Sequence, residues 1–116
     1  PLYFGTLKEK VIFGLPGNPG AALNCFYIYV LKCLFLICKS PYPLELINVK
    51  LKSTYIKKGE RAEFVKVNIR GNKAQICTHQ NSSMLLSFAK ADALLYMPED
   101  IKEITTNDIL SAYLLL

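Results

Sequence analysis

The 116-residue sequence has a single histidine, no closely spaced cysteine pair and a charged fraction of only 20%. Apart from Cys77, His79 has no potential ligand residues nearby in sequence, so we do not expect it to hold a metal. The four cysteines lack the spacing of a zinc knuckle or a redox pair. A low charged fraction beside 52% hydrophobic residues also excludes a disordered chain. These absences leave a folded protein with no metal site of its own.

Three of the four cysteines lie in one apolar segment, residues 20–38. Cysteine in such a setting usually serves as a small hydrophobic residue in a reduced compartment, which predicts a cytoplasmic protein. The segment approaches the length of a bilayer span. Lys32 falls in its middle, where a charge is costly in lipid. The prediction is therefore a helix buried in protein, with no membrane partner.

Basic residues give the chain a net charge of +5, and much of the excess lies between Lys50 and Lys73. There the lysines alternate with apolar residues, a pattern typical of the solvated face of a half-buried sheet. The few aromatic residues there do not alternate with the lysines as a stacking platform requires. We therefore predict no nucleic-acid partner.

The first part of the chain has the pattern of a strand, a loop and a helix. Residues 11–15 are a short apolar run, which predicts a parallel strand covered on both faces. Asn18 is a good N-cap and Pro19 suits the first helical position. The helix should then run to residue 38 and stop before Pro41. One strand and one apolar helix cannot cover each other, so this part should need further packing.

Beyond Pro43 the apolar residues recur with period two, which predicts strands. Gly71-Asn72 should form a hairpin turn, and Ser82 or Ser83 could cap a helical turn that extends through Phe88. Closure into a small barrel or sandwich is expected. The predicted strands cover residues 47–51, 63–70, 73–79, 93–97 and 109–116.

The loop Pro16-Gly17-Asn18-Pro19 is a candidate anion site. A turn from a strand into a helix presents unpaired amides and the positive end of the helix dipole. Gly17 permits close approach to the backbone, and the two prolines stiffen the loop. The residues alone leave this function and a plain helix start about equally favoured.

Several segments together resemble the molybdopterin molybdenumtransferase family, to which the bacterial MoeA enzymes and the gephyrin E domain belong. They are Pro-Leu-Tyr-Phe-Gly at residues 1–5, Val-Ile-Phe-Gly-Leu-Pro-Gly-Asn-Pro at 11–19, His-Gln-Asn-Ser-Ser at 79–83 and Ser-Phe-Ala-Lys-Ala-Asp at 87–92. The resemblance implies an α+β protein. Residues 1–40 would be the C-terminal part of the molybdopterin-binding α/β domain, and residues 41–116 the C-terminal β-barrel domain.

The resemblance also implies a function: insertion of molybdenum from molybdate into adenylylated molybdopterin, by a parent enzyme that acts as a homodimer. Substrate-binding residues would be Pro16, Gly17, Asn18, Pro19, Ser82 and Ser83. It assigns no catalytic residue and no metal ligand to this chain, because the Mg²⁺ ligands of the family lie upstream. The chain alone is therefore expected to be inactive.

Two alternatives remain open. The first is a noncatalytic binding or scaffolding module whose barrel binds a partner peptide. The second, ranked last, is a basic RNA-binding barrel, which predicts an affinity for RNA that falls steeply with salt.

Overall fold

The computed structural model describes residues 2–77 and 85–115. These residues form two compact units, the first comprising residues 2–43 with residue 85 and the second residues 44–77 and 86–115. The first unit carries a β-hairpin and a long helix, and the second a closed barrel. The predicted α+β class with a small barrel is therefore confirmed. The assignment of residues 1–40 and 41–116 to two particular domains stays a prediction.

The first unit opens with a hairpin of β1 (Tyr3–Leu7) and β2 (Lys10–Gly14), which pair antiparallel. The prediction of a parallel strand covered on both faces is wrong within the described chain. A two-residue turn, with Lys8 at a φ of 55°, folds β1 back along β2. Val11 and Ile12 remain 40% and 43% exposed. A run of apolar residues indicates a hydrophobic strand, but it does not indicate whether the neighbouring strand is parallel or antiparallel.

The helix begins at Pro19, as predicted, and runs without a break to Ile37. It consists of α1 (Pro19–Cys25), a π-helical segment (Phe26–Val30) and α2 (Leu31–Ile37). In the π-helical segment the Leu31 N–H donates to the Phe26 carbonyl oxygen, five residues back. Lys39, at a φ of 53°, follows the last turn. The helix thus ends before Pro41, as its sequence predicted.

By length and composition the helix Pro19–Ile37 could cross a membrane, with a mean hydropathy of 1.8. A single helix of this kind is weak evidence, because the core helix of a soluble protein passes the same test. The expected burial in protein is wrong within the described chain, where only Gly20 and Leu31 of this helix are buried. Hairpin and helix together cannot enclose the helix surface.

An apolar groove of about 450 Å³ lies within the first unit. Its walls come from the hairpin and from one face of the helix. The lining residues are Leu2, Phe4, Phe13, Ile28, Tyr29, Lys32, Cys33 and Leu36.

The second unit is built from seven strands and one short helix. Five strands close a barrel in the order β3-β6-β5-β7-β9, and β4 pairs with β8 in a separate antiparallel ribbon. The elements are β3 (Leu46–Leu51), β4 (Tyr55–Ile56), β5 (Glu63–Arg70), β6 (Lys73–Ile76), α3 (Leu85–Lys90), β7 (Ala93–Met97), β8 (Glu103–Ile104) and β9 (Leu110–Leu114).

The period-two pattern explains the barrel core. Alternate residues of each strand point inward, so Val65 and Val67 of β5 are buried together with Leu95 of β7. Predicted strands at 47–51, 63–70 and 93–97 are confirmed, and 109–116 is confirmed at its centre. Gly71, at a φ of 64°, turns β5 into β6 as predicted. β6 ends at Ile76 rather than at residue 79, and residues 78 and 79 lie outside the described residues.

Candidate functional site

The loop between β2 and α1 is organised by Asn18. Its backbone is extended (φ −70°, ψ 124°), and its Oδ1 accepts the N–H groups of Gly20 at 3.1 Å and Ala21 at 3.2 Å. Its carbonyl oxygen accepts the Ala22 N–H at 2.9 Å. Pro19 occupies the first helical position, where its missing N–H costs nothing. The predicted capping roles of Asn18 and Pro19 are therefore confirmed.

This capping corrects one step in the argument for an anion site. The expected unpaired amides of the first helical turn are bonded to Asn18 itself, through its side chain and its carbonyl oxygen. An anion that used the Gly20 and Ala21 amides would have to displace the Asn18 side chain. Backbone approach is instead open at Gly17, where an added Cβ would meet no atom within 4 Å.

The electrostatics of the loop still favour a negative ligand. The first turn of α1 holds no acidic side chain, so the positive end of the helix dipole is not offset by a residue of that turn. Gly17 and Pro19 are exposed, while Pro16 and Asn18 are half-buried. The loop thus exposes its backbone to solvent on its Gly17 side. Whether it binds substrate stays a prediction.

The second half of the predicted site, Ser82 and Ser83, lies outside the described residues. The structure brings together Pro16, Gly17, Asn18 and Pro19 as one loop. Their approach to the two serines stays a prediction.

Within residues 2–77 and 85–115, no three His, Cys, Asp or Glu side chains cluster closely enough to hold a metal ion. The described residues therefore do not fit a magnesium site. Glu9, Glu45 and Glu60 are exposed. Asp92 has a structural role: its Oδ2 accepts the Ile69 N–H at 2.9 Å and lies 3.8 Å from the Arg70 guanidinium.

Two lysines depart from the predicted solvated face. Lys57 is 6% exposed and donates from Nζ to the carbonyl oxygens of Pro98 and Glu99, both at 2.9 Å. Lys66, in the centre of β5, is 3% exposed, with its ammonium 5.1 Å from the centroid of the Phe88 ring. Strand periodicity correctly turns Lys66 away from the barrel core. It cannot show that Phe88 of α3 covers that outer position.

Burial at this outer position shifts the pKa values of Lys66 and Cys77. It lowers the pKa of Lys66 below 10.5, while the charge of Cys77 acts in the opposite direction. Burial raises the pKa of the Cys77 thiol above 9.0, and the Lys66 charge partly offsets that rise. Cys77 directly follows β6, the strand paired with the β5 strand of Lys66, and its N–H donates to the Lys66 carbonyl oxygen at 3.0 Å. The only sequence signal for this cluster was the short helical pattern that ends near Phe88.

The sequence of the barrel unit matches a known protein family. The model of the family described as MoeA C-terminal region (domain IV) matches residues 48–115, more than half of the chain. The chain belongs to the MoeA C-terminal family. The match covers β3 from its third residue through to the end of β9. The family resemblance predicted from the sequence is thereby confirmed.

Relatives extend the MoeA likeness into the first unit. The molybdenum cofactor synthesis protein cinnamon of Drosophila melanogaster is 32% identical over 107 residues, which cover 84% of this chain. A crystal structure of a molybdopterin biosynthesis MoeA protein from Pyrococcus horikosii matches with a TM-score of 0.79 at 25% identity, over 98% of the chain. A molybdenum cofactor biosynthesis protein from Pyrococcus furiosus shares the fold over 97% of the chain, with a TM-score of 0.80 at 22% identity.

The MoeA-like chain is short beside these proteins. It spans 17% of the length of cinnamon, 28% of the Pyrococcus horikosii protein and 40% of the Pyrococcus furiosus protein.

Proposed function

We propose that this chain acts as the C-terminal portion of a molybdopterin molybdenumtransferase, which inserts molybdate into adenylylated molybdopterin during molybdenum cofactor biosynthesis. The observation that carries the proposal is the likeness to a MoeA protein over 98% of the chain, across both the hairpin-helix unit and the barrel. A barrel alone would support a binding module equally well. The capped loop in front of the helix adds a place for an anionic substrate.

In this proposal the loop residues Pro16, Gly17, Asn18 and Pro19 bind the pterin phosphate or the molybdate oxyanion, and Ser82 and Ser83 contribute hydroxyl groups. The exposed Gly17 allows backbone contact, and the helix dipole stabilises the negative charge. The parent enzyme would be a cytoplasmic homodimer whose Mg²⁺ is held by residues outside this chain. Neither nucleic acid nor a membrane takes part.

The experiment that tests this role is Asn18→Asp in the full-length parent. Aspartate caps helices as well as asparagine does, so the hydrogen bonds to Gly20 and Ala21 should survive and thermal stability should be unchanged. The added carboxylate would repel a bound anion. At about 4 Å the repulsion is roughly 1 to 4 kcal/mol, so molybdate-dependent product formation at low molybdate should fall about fivefold or more.

The matched control is Asn107→Asp, the same chemical change at an exposed position between β8 and β9. It should leave product formation unchanged. If Asn18→Asp also leaves it unchanged, the loop is not the anion site. A parent that forms no product, yet whose barrel binds a peptide, would favour the noncatalytic alternative.

A further inference from the structure

Three adjacent strands of the barrel align their cations on its outer face. Lys73 of β6 is registered opposite Lys50 of β3 on one side and opposite Arg70 of β5 on the other. All three residues are exposed, and their neighbours Leu51 and Ala74 are the inward-facing residues of the same strands. Because adjacent strands lie about 4.8 Å apart, the three cations form a row across the sheet. We call Lys50, Lys73 and Arg70, together with Lys52, the basic row.

Without a bound partner, the basic row destabilises the folded barrel. Like charges on directly opposed residues destabilise a sheet, and here one lysine is opposed to a cation on each side. In the part of the chain that the structure describes, Arg70 alone of the four has an ion pair, at 3.8 Å from Asp92. Lys52 directly follows β3 and continues its pairing with β6, since the Lys52 N–H donates to the Ala74 carbonyl oxygen at 2.9 Å. An arrangement of this kind is compensated when an anionic partner covers it.

We propose that the basic row binds an acidic segment of a partner protein in an extended conformation. Lys50 and Lys52 are two residues apart, so they lie roughly 6.7 Å from each other along the sheet. Carboxylates at alternate positions of an extended segment have the same spacing, which allows each to face one cation. We choose an acidic segment as the partner because its negative charges complement the positive charges of the basic row. The surface takes no part in the proposed molybdate insertion.

The residues that surround the basic row favour a peptide over other polyanions. The outward positions next to the row on the three strands are Asn48, Asn68 and Gln75, whose amides can donate and accept hydrogen bonds. The outward residues Leu46, Phe64 and Lys66 lie further from the row along β3 and β5. A single-stranded nucleic acid would need aromatic side chains for base stacking, and these positions have none. A membrane surface would call for apolar side chains beside the cations, and these positions have none either. Extended peptide backbone, by contrast, pairs well with amide side chains.

The test uses the full native polypeptide that contains this sequence and a fluorescein-labelled 12-residue peptide of alternating Glu and Ser. Fluorescence anisotropy should show binding at 50 mM NaCl that weakens at 200 mM. Lys73→Glu should lower the affinity at least about fivefold, since it turns attraction into repulsion at the centre of the row. The same change replaces two like-charge pairs by opposite-charge pairs. It should therefore raise the Tm by roughly 1 to 5 °C.

Lys102→Glu is the control, because it makes the same change in net charge at an exposed position outside the basic row. It should alter the affinity less than twofold. Equal losses in the two variants would mean that only net charge matters and would overturn the proposal, as would the absence of binding below 1 mM peptide. Tighter binding to a 12-residue oligo-dT or to phosphatidylserine vesicles than to the peptide would overturn the choice of partner.

Discussion

The two units of this chain differ in how far they bury their apolar side chains. In the barrel unit, ten core residues from Val49 to Ala112 are no more than 2% exposed. In the hairpin-helix unit, Phe4, Leu36 and Ile37 are 60% or more exposed. A closed barrel covers its own strand edges and its own interior, whereas one hairpin and one helix have no second layer. We therefore expect the barrel unit to supply its own stability and the first unit to need further packing.

The largest expected effect is the difference in stability lost when a leucine is changed to alanine in each unit. Leu95→Ala removes a fully buried leucine from the barrel core and should lower the free energy of unfolding by about 2 to 5 kcal/mol. Leu36→Ala removes a leucine that is 69% exposed in the first unit and should cost under about 0.5 kcal/mol. Urea denaturation of both variants measures the difference. A cost of several kcal/mol for Leu36→Ala would show that the helix face is covered in solution.

The barrel could be predicted from the sequence because its signals are local. Alternating residues in β3, β5 and β7 fix the inward faces, and Gly71 marks the turn. The missed strands β4 and β8 have two residues each, too few to show a period. The burial of Lys66 was missed for another reason. It depends on Phe88, 22 residues further along the chain, and pattern reading along one strand cannot detect such a cover.

The candidate site was predictable to a similar extent. Asn18 and Pro19 carry strong local preferences for a helix start, and the structure confirms both positions. The N-cap role of Asn18 already implied that its side chain accepts first-turn amides, so the expectation of unpaired amides at this helix start could have been corrected from the sequence. The π-helical segment also has no sequence signal as clear as a cap or a turn glycine.

The second prediction compares a glycine in each unit. Gly71 adopts a φ of 64° at the β5-β6 turn, a conformation that costs an L-residue about 1 to 2 kcal/mol. Gly71→Ala should lower the free energy of unfolding by that amount. Gly17→Ala should leave it within about 0.5 kcal/mol, because space is open around Gly17 and its φ is not in the left-handed region. Thermal unfolding of the two variants measures both losses of stability. Equal losses would mean that the Gly17 loop is packed more tightly than the structure shows.

The smallest expected effect concerns the buried lysine of the barrel and appears only as a pH dependence. The pKa of Lys66 is lowered by burial, so between that lowered value and 10.5 the unfolded chain holds a proton that the folded chain has released. Stability contributed by Lys66 therefore rises with pH through this window. Cys77 and Tyr55 act oppositely, because burial raises the pKa of each.

Comparison with Lys66→Met tests the lysine, since methionine fills a similar volume and does not titrate. The opposing contribution of Tyr55 is present in both proteins. Loss of the Lys66 charge raises the Cys77 pKa further in the variant, which lowers the variant's stability at high pH and adds to the same trend. The free energy of unfolding of the wild type, minus that of the variant, should increase as the pH is raised from 7.5 to 10.5 in urea titrations. Lys90→Met, at an exposed position of α3, should show no such trend. A pH-independent difference for Lys66→Met would mean that the ammonium stays hydrated, because only a desolvated amine gives up its proton early on folding.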